Sequence, residues 1–195
     1  MDEFLEKIEK HKDEFYRFVR RTAWDTSVAD DVFSSAVLAA YENRHKYTPG
    51  TNFRAWMFRI LQNKCFVANR QTSRAMEPLE HAEHVGVETK ESHEFREILA
   101  DPMKVLDQCG DEVQRAFHKL STAERSCILL RGAEKFTYQE ISEILGIPVG
   151  TVMTHLSRGR AKLRKELAEY ATGSGIIRNY PKLIPKDKDK NGTEH

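Results

Sequence analysis

The chain has 195 residues, with 31 Lys and Arg against 30 Asp and Glu, a formal charge of +1 and a hydrophobic fraction of 39%. No apolar run approaches the roughly 18–20 residues that cross a bilayer, and the stretch from Met1 to Lys12 is polar and charged. Neither a membrane span nor a signal peptide is expected, which predicts a cytoplasmic protein without direct membrane insertion. Cys65, Cys109 and Cys127 are odd in number and never arranged as CxxC, which argues against a disulfide framework and a zinc knuckle.

Apolar residues recur at helical spacing almost throughout and strict alternation nowhere persists, so the expected fold class is all-α. Phe4, Leu5, Ile8, Phe15, Phe18 and Val19 mark a first amphipathic helix or helix pair. Val32, Ala36, Val37, Ala40 and Tyr41 mark a second, opening after Asp25. Tyr47-Thr-Pro-Gly-Thr-Asn52 is a loop by composition, because Pro fixes φ and Gly permits positive φ. Phe53, Trp56, Met57, Ile60 and Leu61 then predict a helix running to about Arg74.

From residue 76 to 107 Glu and His dominate, and Pro78, Gly86 and Pro102 interrupt any helix. This segment is expected to be a flexible acidic linker, with one short helix around Glu91 to Leu99. Residues 108–171 form a second small helical domain, in which Ser121-Thr-Ala-Glu124 and Thr137-Tyr-Gln-Glu140 have the form of capping boxes. Residues 172–195 read as a loose tail whose apolar residues, Ile176 to Ile184, are expected to fray rather than dock.

The near-zero net charge hides a segregation. Residues 1–75 carry 13 basic and 10 acidic side chains, 76–107 carry 3 and 9, 108–171 carry 10 and 8, and 172–195 carry 5 and 3. Asn43 to Arg74 is free of acids and holds Arg44, Lys46, Arg54, Arg59, Lys64, Arg70 and Arg74, and Val149 to Lys165 is likewise acid-free. One such run is commonly a solvated helix face. Two favour a phosphate-binding surface, because each cation near a phosphate releases condensed counterions.

Tyr138 to Leu145 is a predicted short helix with Ile141, Ile144 and Leu145 on one face. Gly146 supplies a sharp turn, and Ile147, Val152 and Leu156 let a second helix pack across the first, which is helix-turn-helix spacing. Thr151, Met153, Thr154, His155 and Arg158 are then left outward or lateral, where Arg158 can make a bidentate guanine contact. Arg160, Lys162, Arg164 and Lys165 lie further along and are expected to hold phosphates.

Both halves resemble bacterial sigma factors of the extracytoplasmic-function (ECF) group, in the sigma-70 superfamily. Leu120-Ser-Thr-Ala-Glu-Arg125 through Gly150-Thr-Val to Arg158-Gly-Arg-Ala-Lys-Leu163 looks like sigma region 4, which reads the minus-thirty-five promoter element. Ala29-Asp-Asp-Val32 and Tyr47 to Asn63 are similar to sigma region 2, which binds the polymerase clamp and opens the minus-ten element. The resemblance implies an initiation factor and not an enzyme. Its implied partners are core RNA polymerase, through the clamp and flap regions of the large subunits, promoter DNA, and an anti-sigma factor.

Within that resemblance Tyr47 and the Pro49 to Asn52 loop match the family's specificity loop, and Asn63 matches the position that helps form the pocket for a flipped base. Arg54, Arg59, Lys64, Arg70 and Arg74 are expected along phosphates. Trp56 belongs with Phe53, Met57 and Ile60 in the core more readily than on a stacking surface, whereas Asn63, an amide in an apolar-periodic helix, needs a partner. Asp30 and Asp31 read equally as first-turn acids that favour the helix dipole and as part of the clamp-binding surface. Ser34 replaces the usual Gln of that surface, and Val37 an aromatic. Met153, Thr154, His155 and Gly159 also depart from the common pattern and imply an altered promoter sequence.

No cofactor is called for: His81-x-x-His84 has no further ligands nearby, and no catalytic triad or Gly-rich phosphate loop is assembled. Two rival readings remain, a helix-turn-helix regulator that binds duplex DNA without polymerase and a helical adaptor whose basic faces meet an acidic protein.

Overall fold

The computed structural model describes residues 2–75 and 111–173. The linker helix around Glu91 to Leu99, the His81 and His84 pair and residues 174–195 of the tail lie outside the described residues. Eight α-helices and no strand are present among those described.

The N-terminal half opens with a helix pair. α1 spans Glu3–Lys10 and starts where the Asp2 carboxylate accepts the Phe4 N–H at 3.0 Å, satisfying one of the donors that every helix start leaves free. After a break at His11, α2 spans Lys12–Thr22 and buries Phe15, Phe18, Val19 and Thr22. Asp25 caps a 3₁₀ turn at Thr26–Val28, and α3 follows at Ala29–Glu42, burying Ala29, Val32, Ala36 and Ala40. Small residues on that face bring α3 close to α4, which spans Phe53–Ala75. Phe58 of α4 lies at the centre of this half, edge-on to Phe15 at 5.2 Å and to Phe18 at 5.1 Å.

The C-terminal half contains α5 (Asp111–His118), α6 (Thr122–Gly132), α7 (Tyr138–Leu145) and α8 (Val149–Gly173). Both capping boxes form: Ser121 N–H donates to Glu124 at 2.9 Å and Thr137 N–H to Glu140 at 2.8 Å, each answered by the return bond from the glutamate amide. Gly146 ends α7 at φ +66°, a conformation in which a Cβ would be strained. Ser142 Oγ then donates to the Ile147 carbonyl at 2.6 Å, closing the turn. Ile141, Ile144, Val152 and Leu156 are buried between α7 and α8, as helix-turn-helix packing requires.

Gly159 faces α6. A Cβ there would lie 2.7 Å from Ile128 Cδ1 and 3.3 Å from Glu124 Cβ, so the missing side chain permits the close crossing of α6 and α8.

The two halves dock on each other. Phe136, carried by the α6–α7 turn, inserts edge-on against Phe58 at 5.4 Å. The Arg125 side chain of α6, 1% exposed, donates from Nη1 to the carbonyls of Arg21, Thr22 and Ala23 at the end of α2, at 3.4, 3.3 and 3.1 Å. Those carbonyls carry the partial negative charge of a helix C-terminus, which favours a cation. Arg125 Nε and Nη2 are buried without a partner among the described residues, and burial holds its pKa down at about 10.

Candidate nucleic-acid interface

α4 carries most of the residues assigned to the minus-ten element. Its buried stripe is Met57, Phe58, Leu61, Gln62, Cys65 and Asn69. Arg59, Asn63 and Arg70 are exposed on the opposite side, and Lys64 is half-buried. Arg74 lies in the last turn of α4, and its side chain is not among those described. Asn63 thus meets solvent. The amides that find protein partners are its neighbours in the sequence: Gln62 Oε1 accepts from Ser126 Oγ at 2.6 Å. Asn69 accepts the Trp24 N–H at 2.8 Å and donates to the Thr22 carbonyl at 3.0 Å and to Thr122 Oγ1 at 2.9 Å.

The loop before α4 is ordered by its own side chains. Tyr47 Oη donates to the Thr51 carbonyl at 3.0 Å, Thr51 Oγ1 donates to the Thr48 carbonyl at 2.7 Å, and Gly50 takes φ +88°. The Tyr47 ring is half-buried, 5.3 Å from Phe53 and 5.6 Å from Trp56. Trp56 in turn meets Phe4 edge-on at 5.9 Å, so its ring belongs to this aromatic cluster.

Asn52 and Arg54 are held by the other half of the molecule. Asn52 Oδ1 accepts the Ala55 N–H at 3.1 Å, capping α4, while its Nδ2 donates to Glu140 Oε1 of α7 at 3.2 Å. Arg54 donates from Nε to Glu14 Oε1 at 2.8 Å and from Nη2 to Glu134 Oε2 at 3.0 Å, and stacks over the Phe136 ring at 5.0 Å. Burial pushes the Glu134 carboxyl up to about 7, with Glu14 adding to the rise and Arg54 and Arg17 opposing it.

On α8, Met153 is 49% exposed, Thr154 and Arg158 are exposed, and Thr151 and Arg160 are half-buried. Thr154 Oγ1 donates to the Gly150 carbonyl at 2.9 Å. His155 is half-buried with Nδ1 lacking a partner among the described residues, and burial lowers its pKa. Lys162 donates to the buried Glu124 carboxylate at 2.8 Å, so in this state its charge serves α6. On α3, Asp30, Asp31 and Ser34 are all exposed, and Asp30 accepts the Tyr16 hydroxyl at 2.5 Å.

Phe66 was not singled out from the sequence, yet it is 52% exposed beside Asn63, and its neighbour Val67 is 55% exposed. Its phase gives the signal, because Phe66 falls about 100° away from the Met57–Leu61–Cys65 stripe. Gln62, Asn69 and Glu134 were also missed, and the reach of Arg125 and Glu140 to the other half was not foreseen, since each looks like a surface residue until the opposite half is in place. Cys65 and Cys127 are buried, and desolvation raises both thiols to about 12, which leaves them unreactive at neutral pH.

Among the described residues no helix is long and apolar enough to cross a membrane, and no three His, Cys, Asp or Glu side chains are grouped so that they could hold a metal ion.

The geometry agrees with comparisons to known proteins. The family Sigma-70 region 2 matches residues 8–75, and Sigma-70 region 4 matches residues 110–163. The chain is 30% identical to the ECF RNA polymerase sigma factor SigW of Bacillus subtilis, over 86% of this chain and 90% of that one. It is 29% identical to the ECF sigma factor SigE of Mycolicibacterium smegmatis, over 88% of this chain and 64% of that longer one. Among solved structures, the sigma factor RpoE in complex with the anti-sigma factor NepR, from Bartonella quintana, is similar in fold. Its TM-score is 0.63 at 21% identity, over 86% of this chain and 98% of that one. CnrH in complex with the cytosolic domain of CnrY gives a TM-score of 0.58 at 23% identity, over 85% and 88% of the two chains. A helical bundle with an exposed basic α4, followed by a helix-turn-helix and matched along nearly the full length of SigW, places this chain in the ECF family of sigma-70 RNA polymerase sigma factors.

Proposed function

We propose that the chain binds core RNA polymerase through α3, opens the minus-ten element with α4 and the loop before it, and reads the minus-thirty-five element with α8. The observation that carries this reading is the solvent face of α4, where Arg59, Asn63 and Arg70 stand together with no acid in the sequence from residue 43 to 76. Such a face tracks a displaced strand, with cations along the phosphates and an amide beside an unstacked base. On α3, exposed Asp31, Ser34 and Leu38 lie in a stripe one to two turns long, suited to a basic and apolar clamp surface. On α8, Met153, Thr154 and Arg158 supply one apolar, one hydroxyl and one guanidinium contact to base edges, while Arg160, Arg164 and Lys165 hold phosphates and Thr151 and His155 stand at the margin.

Asn52 and Arg54 take part in minus-ten recognition only after α7 and the α6–α7 turn leave them, because Glu140 and Glu134 hold them in the docked state. Opening of the halves on core enzyme is therefore part of this proposal, and it has to break buried bonds such as Asn69–Thr122 and Gln62–Ser126 as well as the exposed Asn52–Glu140 pair. An anti-sigma factor is the further partner proposed, supported by the similar fold of RpoE solved with the anti-sigma factor NepR. The test is run-off transcription by core polymerase with and without the chain. Promoter-dependent transcripts are expected only with it, and no stimulation on any genomic template overturns the reading.

A further inference from the structure

We infer that Phe66 is a stacking platform for an unpaired base of the minus-ten strand, adjacent to the base held at Asn63; this rests on the proposed role of the α4 face. Residues 59, 63, 66 and 70 fall within about 60° of one another around an α-helix. The exposed face of α4 therefore runs Arg59, Asn63, Phe66, Arg70, a large apolar ring set between an amide and two cations.

The ring is half-exposed and lies outside the aromatic core. Met57, Phe58, Leu61 and Cys65 fill the core side of α4, and no aromatic or cation–π contact within the described residues involves Phe66. Phe58 shows the contrast: about two turns earlier on the same helix, it is fully buried and touches three other aromatic rings.

Charge selects the occupant. A displaced DNA strand presents phosphates to Arg59 and Arg70 and flat base faces to the ring between them, and aromatic stacking accepts any base. The rise from Asn63 to Phe66 is about 4.5 Å, the scale of a single nucleotide step. Val67, four residues on from Asn63, adds a second exposed apolar side chain at the flank of this face.

The experiment uses holoenzyme assembled from core polymerase and the full chain, with forked DNA carrying 2-aminopurine at successive positions of the minus-ten non-template strand. Phe66→Ala is expected to weaken fork binding roughly 5- to 150-fold, the range for loss of one base–aromatic stack, and to raise fluorescence at a single position next to the flipped base. Phe66→Trp is expected to restore affinity. Equal fork affinity and fluorescence in wild type and Phe66→Ala, with Asn63→Ala impaired, overturns the stacking role and leaves the α4 reading standing. A Phe66→Ala defect in core binding assigns the ring to polymerase and also overturns it. Wild-type holoenzyme that ignores forked DNA overturns both readings.

Discussion

Arg54 donates to Glu134 at 3.0 Å across 80 residues of sequence, and joins the start of α4 to the turn that carries Phe136. Glu134 is buried, and burial pushes its carboxyl up to about 7. A carboxyl raised in the docked state favours docking when protonated, so its contribution is lost as pH rises through about 7. His118 and His155, lowered by burial, act in the opposite sense as pH falls. Comparison with Glu134→Gln separates them: the variant is expected to gain in Tm relative to wild type between pH 6 and pH 8 by calorimetry. A difference that does not change with pH contradicts the assignment.

Asn69 bonds three residues of two segments, Thr22 and Trp24 at the end of α2 and Thr122 at the start of α6, through both ends of one amide. Asn69→Ala leaves the Trp24 N–H and the Thr22 carbonyl without that partner in a buried setting, at a cost of about 2–3 kcal/mol. Exposed Arg70→Ala is expected to stay within about 0.5 kcal/mol of wild type. Urea denaturation of the two variants measures the difference.

Asn63 is exposed on α4 and contributes little to the fold. Asn63→Ala is expected to keep its Tm and its affinity for core enzyme while reducing open-complex formation, read as permanganate reactivity of thymines at the minus-ten element. Unchanged reactivity removes it from the base pocket.

Arg158 and Lys165 are both exposed on α8, whereas Lys162 is paired with buried Glu124. Arg158→Ala is expected to relax selectivity at one base pair by about 1–3 kcal/mol in a promoter library. Lys165→Ala is expected to weaken all sequences alike. Lys162→Ala strands a buried carboxylate, so it is expected to lower Tm measurably, which the other two do not.

The helices, both capping boxes and the turn at Gly146 were legible in the sequence because each rests on residues within about five positions. The halves' mutual docking was not, because Asn52–Glu140 and Arg54–Glu134 join residues 88 and 80 positions apart. Arg54 looks the same in the sequence whether it faces phosphate or glutamate. Of the amides in α4, Gln62 and Asn69 are the buried ones with protein partners, while Asn63 between them is exposed. Phe66 was hidden because an apolar residue in an apolar-periodic helix passes for core.

The absent side chain at Gly159 bears on how promoter preference can be engineered. Close crossing brings the carboxylate that caps α6 beneath the DNA-reading helix, where it also binds Lys162. A recognition helix grafted from a factor with a larger residue in place of Gly159, or without Lys162, would press on Glu124 or leave its carboxylate without the lysine. The transplantable unit is α6 through α8 as one piece.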